Sequence, residues 1–290
     1  MLCSLYAIRL FFLIAVISRV ASAPIPIRRN LRPMFIRDDT SSVSSSDSDS
    51  GSNFNSDSDS GSTDNTSVDS DSGSGNSTGT DGANDFAADS SIDVAAILQS
   101  VKSATSNSVS GANFETGHDN NKAQIYQLNV DSSADESVYA VEADMDVDCD
   151  GTDYQCRGNT DGQSETSYGA LSAKRVPFYV LPQSFVDKQN IKGNSLGAII
   201  CNNRMFYAIM GDTNGASPEV IGEASWLMAR TCFPNDGLYG AKGHDQSDVM
   251  YIVFGNLVPT GINEKSPTID VSALKELGDK TLKAFKLDES

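Results

Sequence analysis

Residues 142–151 read E-A-D-M-D-V-D-C-D-G, and this stretch decides which fold class we expect for the chain. Successive side chains of a β-strand point to opposite faces. One face of this strand would carry apolar or cysteine side chains: Tyr139, Val141, Ala143, Met145, Val147 and Cys149. The other face would carry carboxylates: Glu142, Asp144, Asp146, Asp148 and Asp150. The alternation predicts a strand over residues 137–149 with one buried face and one acidic face.

Further strands and a few helices are predicted on either side of this stretch. Strands are expected at 123–130, at 195–201 and 204–210, and at 249–254. The second and third flank Asn202-Asn203, a pair that tolerates the positive φ of a tight hairpin. Short helices are expected after a cap at Ser91, around 224–230, and after a cap at Asp270. Together these elements predict a mainly β fold: a compact, barrel-like β domain with a few flanking helices.

The N-terminal third has a composition unlike the rest. Residues 1–23 combine a short apolar run with an Ala-Ser-Ala end, which is typical of a secretory signal peptide. A basic, pro-peptide-like segment follows at 24–37. Residues 38–90 contain no Lys or Arg and repeat D-S-D-S-G-S three times, which predicts a disordered linker. The remaining segment, 91–290, is the expected globular domain of a secreted, extracellular protein with no membrane attachment after cleavage.

The globular segment is itself acidic. The linker holds 12 of the 39 acidic residues and residues 1–37 hold 6 of the 21 basic ones, so 27 acids and 15 bases remain on 91–290, a net charge of −12. Such a surface repels nucleic acid and attracts cations or polycations. We expect no nucleic-acid partner and a monomer.

Four cysteines remain after removal of Cys3 with the signal peptide, which suits two disulfides in an oxidising compartment. Three pairings are possible. We favour Cys149–Cys156 with Cys201–Cys232, because the first closes a tight loop directly after the acidic strand.

Metal and cofactor chemistry receive little support from the sequence. Asp146, Asp148 and Asp150 with Gly151 match the first half of an EF-hand calcium loop, but Arg157 stands where the bidentate Glu should be. The chain has no G-x-G-x-x-G or Walker phosphate loop. We therefore expect neither a metal site nor a cofactor.

Two carboxylates offer a different chemistry. Asp212 lies in G-D-T-N-G (211–215), after an apolar strand, and we expect it in a polar loop that keeps it ionised as a base. Glu223 lies between apolar residues in I-G-E-A-S (221–225), a setting that raises a carboxyl pKa and suits a general acid. Glu219, after Pro218, is expected to be merely solvated in an exposed turn. Two carboxylates in different environments are the apparatus of glycoside hydrolysis.

Six segments in order resemble one known family: A-D-M-D-V-D-C-D-G (143–151), G-Q-S-E-T-S-Y (162–168), A-I-M-G-D-T-N-G (208–215), I-G-E-A-S (221–225), C-F-P-N (232–235) and G-H-D-Q-S-D-V-M-Y-I (243–252). The chain resembles the fungal chitosanases of glycoside hydrolase family 75 over most of residues 91–290. The resemblance implies endo-hydrolysis of β-1,4-linked glucosamine polymer with inversion, by one Asp and one Glu that map onto Asp212 and Glu223. It thus predicts that 91–290 is a chitosanase catalytic domain and that chitosan is its partner.

The acidic strand gains a purpose from this resemblance, because chitosan is a polycation. We expect a groove floored by Asp144, Asp146 and Asp148 that binds the polymer by charge complementarity. The alternative is a solvated edge strand. Three residues complete the expected substrate-binding set: Asn214, His244 and Asp245. His244 could equally be a turn histidine hydrogen-bonded to Asp245 or Asp248.

A rival hypothesis comes from a different class of protein. The residues Arg29-Asn30-Leu31-Arg32 fit an R-x-L-R pattern found after the signal peptide of some pathogen effectors. Together with the acidic linker, this pattern would suit a secreted, effector-like protein that binds chitosan without cutting it.

Overall fold

Strands dominate the part of the chain that the computed structural model describes, which is residues 85–117, 120–130, 137–160, 162–262 and 269–287. Its strands are β1 (Ser108–Glu115), β2 (Lys122–Leu128), β3 (Val138–Asp148), β4 (Phe178–Pro182), β5 (Leu196–Cys201), β6 (Arg204–Asn214), β7 (Glu223–Ser225) and β8 (His244–Phe254). Its helices are α1 (Val94–Ser103), α2 (Gln183–Gln189), α3 (Trp226–Cys232) and α4 (Val271–Ala284). The mainly β prediction is confirmed.

Six of the strands close into a barrel. They follow the order β3-β7-β4-β6-β5-β8, and β8 pairs back onto β3 in an antiparallel register that matches Val138 with Phe254. Strands β1 and β2 extend the sheet from the other edge of β3. Barrel closure removes the exposed sheet edges that invite aggregation, and it gathers the ends of β3, β6 and β7 into one region.

Both faces of the sheet are covered, which corrects the expectation of one open acidic face. On β6, alternate residues contribute to two separate apolar clusters: Phe206, Ala208 and Met210 to one, and Met205, Tyr207 and Ile209 to the other. Helices α2 and α3 pack on the first cluster, whereas α1 and α4 pack on the second. Strand β3 therefore carries Val138 and Ala140 on its second face and becomes acidic there only from Glu142 onward.

Local signals placed most turns and caps correctly. Asn202 and Asn203 have φ of 47° and 58°, as the hairpin between β5 and β6 requires. Asp270 caps α4 through its side chain. The cap of α1 is Asp93 and not Ser91, whose backbone and hydroxyl instead donate to Asp89.

The domain begins earlier than residue 91. Phe86, which the sequence analysis placed in the linker, is 2% exposed and packs 5.8 Å from the ring of Phe206. A backbone bridge joins Ala87 to Phe206 beside it. The predicted signal peptide, the basic segment and the linker up to residue 84 lie outside the described residues. Within the described ranges, no helix is long and apolar enough to cross a membrane.

Two disulfides tie loops and a helix to the barrel. Cys149–Cys156 closes the loop after β3, and Cys201–Cys232 joins the end of β5 to the end of α3. This is the pairing that the sequence favours. Each bridge restricts the unfolded chain, an effect worth on the order of 2–4 kcal/mol.

Candidate active site

Asp212 lies on β6 and not in a polar loop, because the strand continues to Asn214. Its side chain is buried, at 5% exposure. Three donors converge on its Oδ1 atom: the backbone N–H of Ser167 at 2.8 Å, the hydroxyl of Ser167 at 2.6 Å and the backbone N–H of Thr213 at 2.7 Å. A buried carboxylate is tolerated where donors replace its water, and an acceptor surrounded by donors suits the ionised form.

Glu223 opens β7, which runs parallel to the end of β3 with Asp146 opposite Glu223. The pKa of Glu223 is raised to about 8, chiefly by burial; a hydrogen bond from Asn214 opposes the rise, and the charges of Asp146, Asp212 and Asp150 add to it. The side chain is therefore protonated at neutral pH. Because the Nδ2 group of Asn214 donates to Oε2 at 2.9 Å, the carboxyl proton belongs on Oε1.

Asn214 holds the carboxyl group of Glu223 through its side-chain amide. Its Oδ1 atom accepts the backbone N–H groups of Ala216 at 3.2 Å and Val220 at 3.3 Å. These two bonds orient the amide, so its NH₂ group points at Glu223. The sequence analysis placed Asn214 among the substrate contacts, and the structure gives its amide a role in fixing the carboxyl of Glu223.

Three further aspartates surround this pair. Asp146 and Asp148 lie half-buried at the end of β3, and Asp150 follows them. Burial, followed by the charges of Asp212, Asp150 and Glu223, raises the pKa of Asp148 well above its ordinary value. Asp150 accepts the backbone N–H of Gln163 at 2.8 Å. The region thus gathers several carboxyl groups, of which Asp148 and Glu223 have raised pKa values.

Asp144 does not belong to an open groove, which corrects the sequence-based expectation. It is 0% exposed, and the loop leading to Glu223 crosses directly over it. A Cβ atom at Gly222 would lie 2.0 Å from its Oδ1 atom, so only glycine, here at φ +102°, allows the crossing. The pairing of β3 with β8 also changes register between Ala143 and Met145. Strict alternation fails here, and Asp144 becomes an interior residue.

Asp148, Asp150 and Asp212 are the described residues that could hold a metal ion. One carboxylate oxygen of each lies within 4.8 Å of the others. This set differs from the half EF-hand read in the sequence, because Asp212 replaces Asp146. Arg157, at the twelfth position of that loop, lies over the ring of Tyr239 at 4.7 Å. Oxygen ligands would suit a hard cation, which would offset the repulsion among these three carboxylates. Protonation of Asp148 relieves that repulsion without a metal ion.

His244 is held rigidly beside the acidic strand. Its ring stacks on Phe233 with centroids 3.6 Å apart, and its two nitrogens lie 3.2 Å from Asp236 and 2.9 Å from Asp248. Of the two predicted partners, Asp248 is the one observed. Gly243 packs against Asp146, and Asp245 is exposed next to it. These contacts place the 243–245 segment on the border of the acidic region.

Two functional residues escaped the sequence analysis. Ser167 and Thr213 both contact Asp212, yet no role was assigned to either of them. Ser167 lies 45 positions from Asp212. The one available signal was its place in G-Q-S-E-T-S-Y, one of the six segments that carry the family resemblance.

Known proteins are similar in sequence to the part of the chain that carries this site. A family model described as fungal chitosanase of glycosyl hydrolase group 75 matches residues 145–284. An endo-chitosanase of Aspergillus oryzae (strain ATCC 42149 / RIB 40) is 34% identical over 170 residues, which are 50% of this chain and 69% of that relative. The chain belongs to glycoside hydrolase family 75.

Two other relatives extend the comparison. Endo-chitosanase C of Aspergillus oryzae is 46% identical over 205 residues, covering 69% of this chain and 53% of the relative. An endo-chitosanase of Aspergillus fumigatus is 32% identical over 165 residues, covering 49% and 68%. The chain spans about half the length of endo-chitosanase C. The family 75 match includes Asp146, Asp148, Asp212, Glu223 and the 243–245 segment.

Proposed function

We propose that this protein is a secreted endo-chitosanase that hydrolyses β-1,4 linkages between glucosamine units with inversion. The observation that carries the proposal is the contrast between two neighbouring carboxyl groups. Glu223 is held protonated by burial, with a pKa of about 8, whereas Asp212 is surrounded by three donors that suit a carboxylate. An acid and a base kept in different states at one pH are what an inverting glycosidase requires.

The reaction assigns one proton transfer to each group. Glu223 donates its Oε1 proton to the glycosidic oxygen as the bond from that oxygen to C1 breaks, and so becomes a carboxylate. Asp212 accepts a proton from a water whose oxygen forms the new bond to C1 on the opposite face. The products are two shorter chains, the new reducing end has inverted configuration, and solvent exchange returns the proton from Asp212 to Glu223. Inverting enzymes hold the two carboxyl groups roughly 6.5–9.5 Å apart, which leaves room for the water.

Substrate choice would come from charge. Asp146 beside the catalytic pair and exposed Asp245 at the border supply negative charge that attracts the ammonium groups of chitosan. Asp148, whose pKa is raised by burial, would contribute a hydrogen-bonding carboxyl group, and His244 borders the region. A neutral, acetylated polymer would gain nothing from these carboxylates. Names of the relatives support chitosan as the substrate, since each is called an endo-chitosanase.

Export and a monomeric state complete the proposal. Two disulfides suit an oxidising compartment, and the predicted signal peptide would deliver the chain there. The linker and the basic segment before the domain would be dispensable for the chemistry.

Release of reducing ends from soluble chitosan by the purified protein tests the function. Hydrolysis by the parent, with loss of at least about 10²-fold in kcat for Asp212→Asn, is expected from the usual contribution of a general base. Binding of chitosan without any cleavage would replace the enzyme by the effector-like binding protein.

A further inference from the structure

Two hydroxyl groups connect Asp212 to helix α2. The Ser167 hydroxyl donates to Asp212 Oδ1 at 2.6 Å, and its oxygen lies 2.6 Å from the hydroxyl oxygen of Thr213. The Thr213 hydroxyl donates to Oε1 of Gln183 at 2.7 Å. Gln183 is the first residue of α2. Three short contacts therefore link the expected base to the start of this helix.

The direction of this line is fixed at Gln183. Its Nε2 group donates to Asp187 at 2.8 Å, one turn further along α2, so its Oε1 atom faces Thr213. A carbonyl oxygen only accepts, and Thr213 has a single hydroxyl proton. That proton is committed to Gln183, so the single Ser167 proton lies between two acceptors, Asp212 Oδ1 and the lone pairs of Thr213. This sharing fixes the Ser167 hydroxyl between Asp212 and Thr213.

A second line of contacts starts at the next residue of the same helix. Ser184 donates its backbone N–H to Glu219 Oε1 at 2.9 Å, and its hydroxyl donates to Glu219 Oε2. The helix has no side-chain cap of its own at Pro182, so Glu219 acts as its cap. Glu219 is therefore not a merely solvated carboxylate. Its neighbour Val220 donates to Asn214, which in turn donates to Glu223.

We propose that the first turn of α2 fixes the positions of both catalytic carboxyl groups, and that Ser167, Thr213 and Gln183 are positioning residues for the base. The inference rests on the proposed function, in which Asp212 is the base that accepts a proton from the attacking water. Neighbouring residues, Gln183 and Ser184, support one carboxyl group each, so a displacement of this turn would move acid and base together. Errors of about 1 Å in such groups cost up to 10²-fold in rate.

The sharpest test replaces hydroxyl groups without disturbing the backbone. Thr213→Val keeps the volume of the side chain and the N–H that donates to Asp212, and removes only the hydroxyl. We expect kcat to fall about tenfold, KM to stay within about twofold, and Thr213→Ser to recover most of the loss. Ser167→Ala should cost roughly 10- to 100-fold in kcat. Gln183→Met removes the oxygen that accepts the Thr213 proton and should lower kcat by the same factor as Thr213→Val. It replaces Thr213→Val in the test if that variant does not fold.

A matched control removes an equivalent bond elsewhere. Ser172 is also buried and donates its hydroxyl to a carboxylate, that of Asp153, at 2.7 Å. It has no link to Asp212. Ser172→Ala should lower the melting temperature without changing kcat. If Ser172→Ala loses as much kcat as Thr213→Val, the hydroxyl line supports only stability and the inference is wrong.

A substrate with a good leaving group separates base from acid. A β-glycosyl fluoride of a glucosamine oligomer needs little protonation to depart, so Glu223→Gln should lose far less rate on it than on chitosan. Thr213→Val and Ser167→Ala should lose the same factor on both substrates, because attack by water still needs Asp212. Parent-like rates of these two variants on the fluoride would overturn the inference but leave the proposed function standing. Failure of the parent to cleave chitosan, or full activity of Asp212→Asn, would overturn the proposed function and the inference with it.

Discussion

Replacing Glu223 by Gln should lower the activity and, at high pH, raise the stability of the protein. The variant keeps the shape of the side chain and loses the proton that the leaving group needs, so kcat should fall by about 10²–10⁴. Glu223 has a pKa of about 8 in the folded protein and 4.5 ordinarily. Below pH 4.5 it is protonated in both the folded and unfolded states and costs nothing. Between pH 4.5 and 8 the unfolded state ionises while the folded state keeps the proton, so stability falls across this range and the loss is complete once the pH has passed 8.

The size of this effect follows from the pKa difference. Each pKa unit corresponds to about 1.4 kcal/mol, and the half-buried position of Glu223 lets solvent screen much of it, so we expect about 1–2 kcal/mol at pH 9. For a domain of this size, 1 kcal/mol shifts the melting temperature by about 2–4 °C. Glu223→Gln should therefore melt about 2–8 °C above the parent at pH 9 and at the parent temperature at pH 4.

Thermal melts at the two pH values, together with rates on a soluble glucosamine oligomer, provide the assay. Glu142→Gln is the control, because this carboxyl group is also half-buried but pairs with Lys102 on the surface. It should keep kcat within a few fold of the parent and gain no stability at pH 9. An active Glu223→Gln, or one that melts at the same temperature as the parent at pH 9, would refute the assignment of Glu223 as a buried, protonated acid.

Three other predictions concern substrate binding, the start of the folded domain and metal binding. Asp146→Asn and Asp245→Asn should raise KM for chitosan and flatten its dependence on salt, with a smaller effect on kcat; unchanged KM at low salt would exclude a charge-binding role. A protein that starts at residue 85 should keep full activity, whereas one that starts at 91 should melt several degrees lower because it lacks Phe86; equal melting temperatures would contradict its place in the core. Chelator or added calcium should leave the melting temperature unchanged, and a rise with calcium would show a cation between the aspartates.

Five of the strands and the two catalytic candidates could be predicted because their signals are local. The Asn202-Asn203 turn fixed the β5–β6 hairpin, and the motifs around Asp212 and Glu223 placed a carboxyl group next to glycine. The strand that carries Asp212 proved longer than expected, since G-D-T-N-G reads as a loop and its extended backbone is imposed by pairing with β4. Tertiary context overrode the local signal there.

Features that depend on distant segments escaped prediction. Asp144 follows the acidic alternation in sequence, yet the Gly222 crossing buries it. Ser167 reaches Asp212 only because the barrel brings its loop to the end of β6. Phe86 lies at the end of a segment whose composition indicates disorder, and its partner Phe206 lies 120 positions further on. No pattern within a short window encodes contacts of this kind.

Proton NMR of a glucosamine oligomer during hydrolysis is the most direct test of the central claim. It detects cleavage and the configuration of the new reducing end in one experiment. Water attacks from the face opposite the departing sugar in the mechanism proposed for Asp212 and Glu223, so the α-anomer signal should appear first and the β-anomer should grow later by mutarotation. Initial formation of the β-anomer, or an oligomer that remains intact, would contradict the inverting chitosanase proposed for this protein.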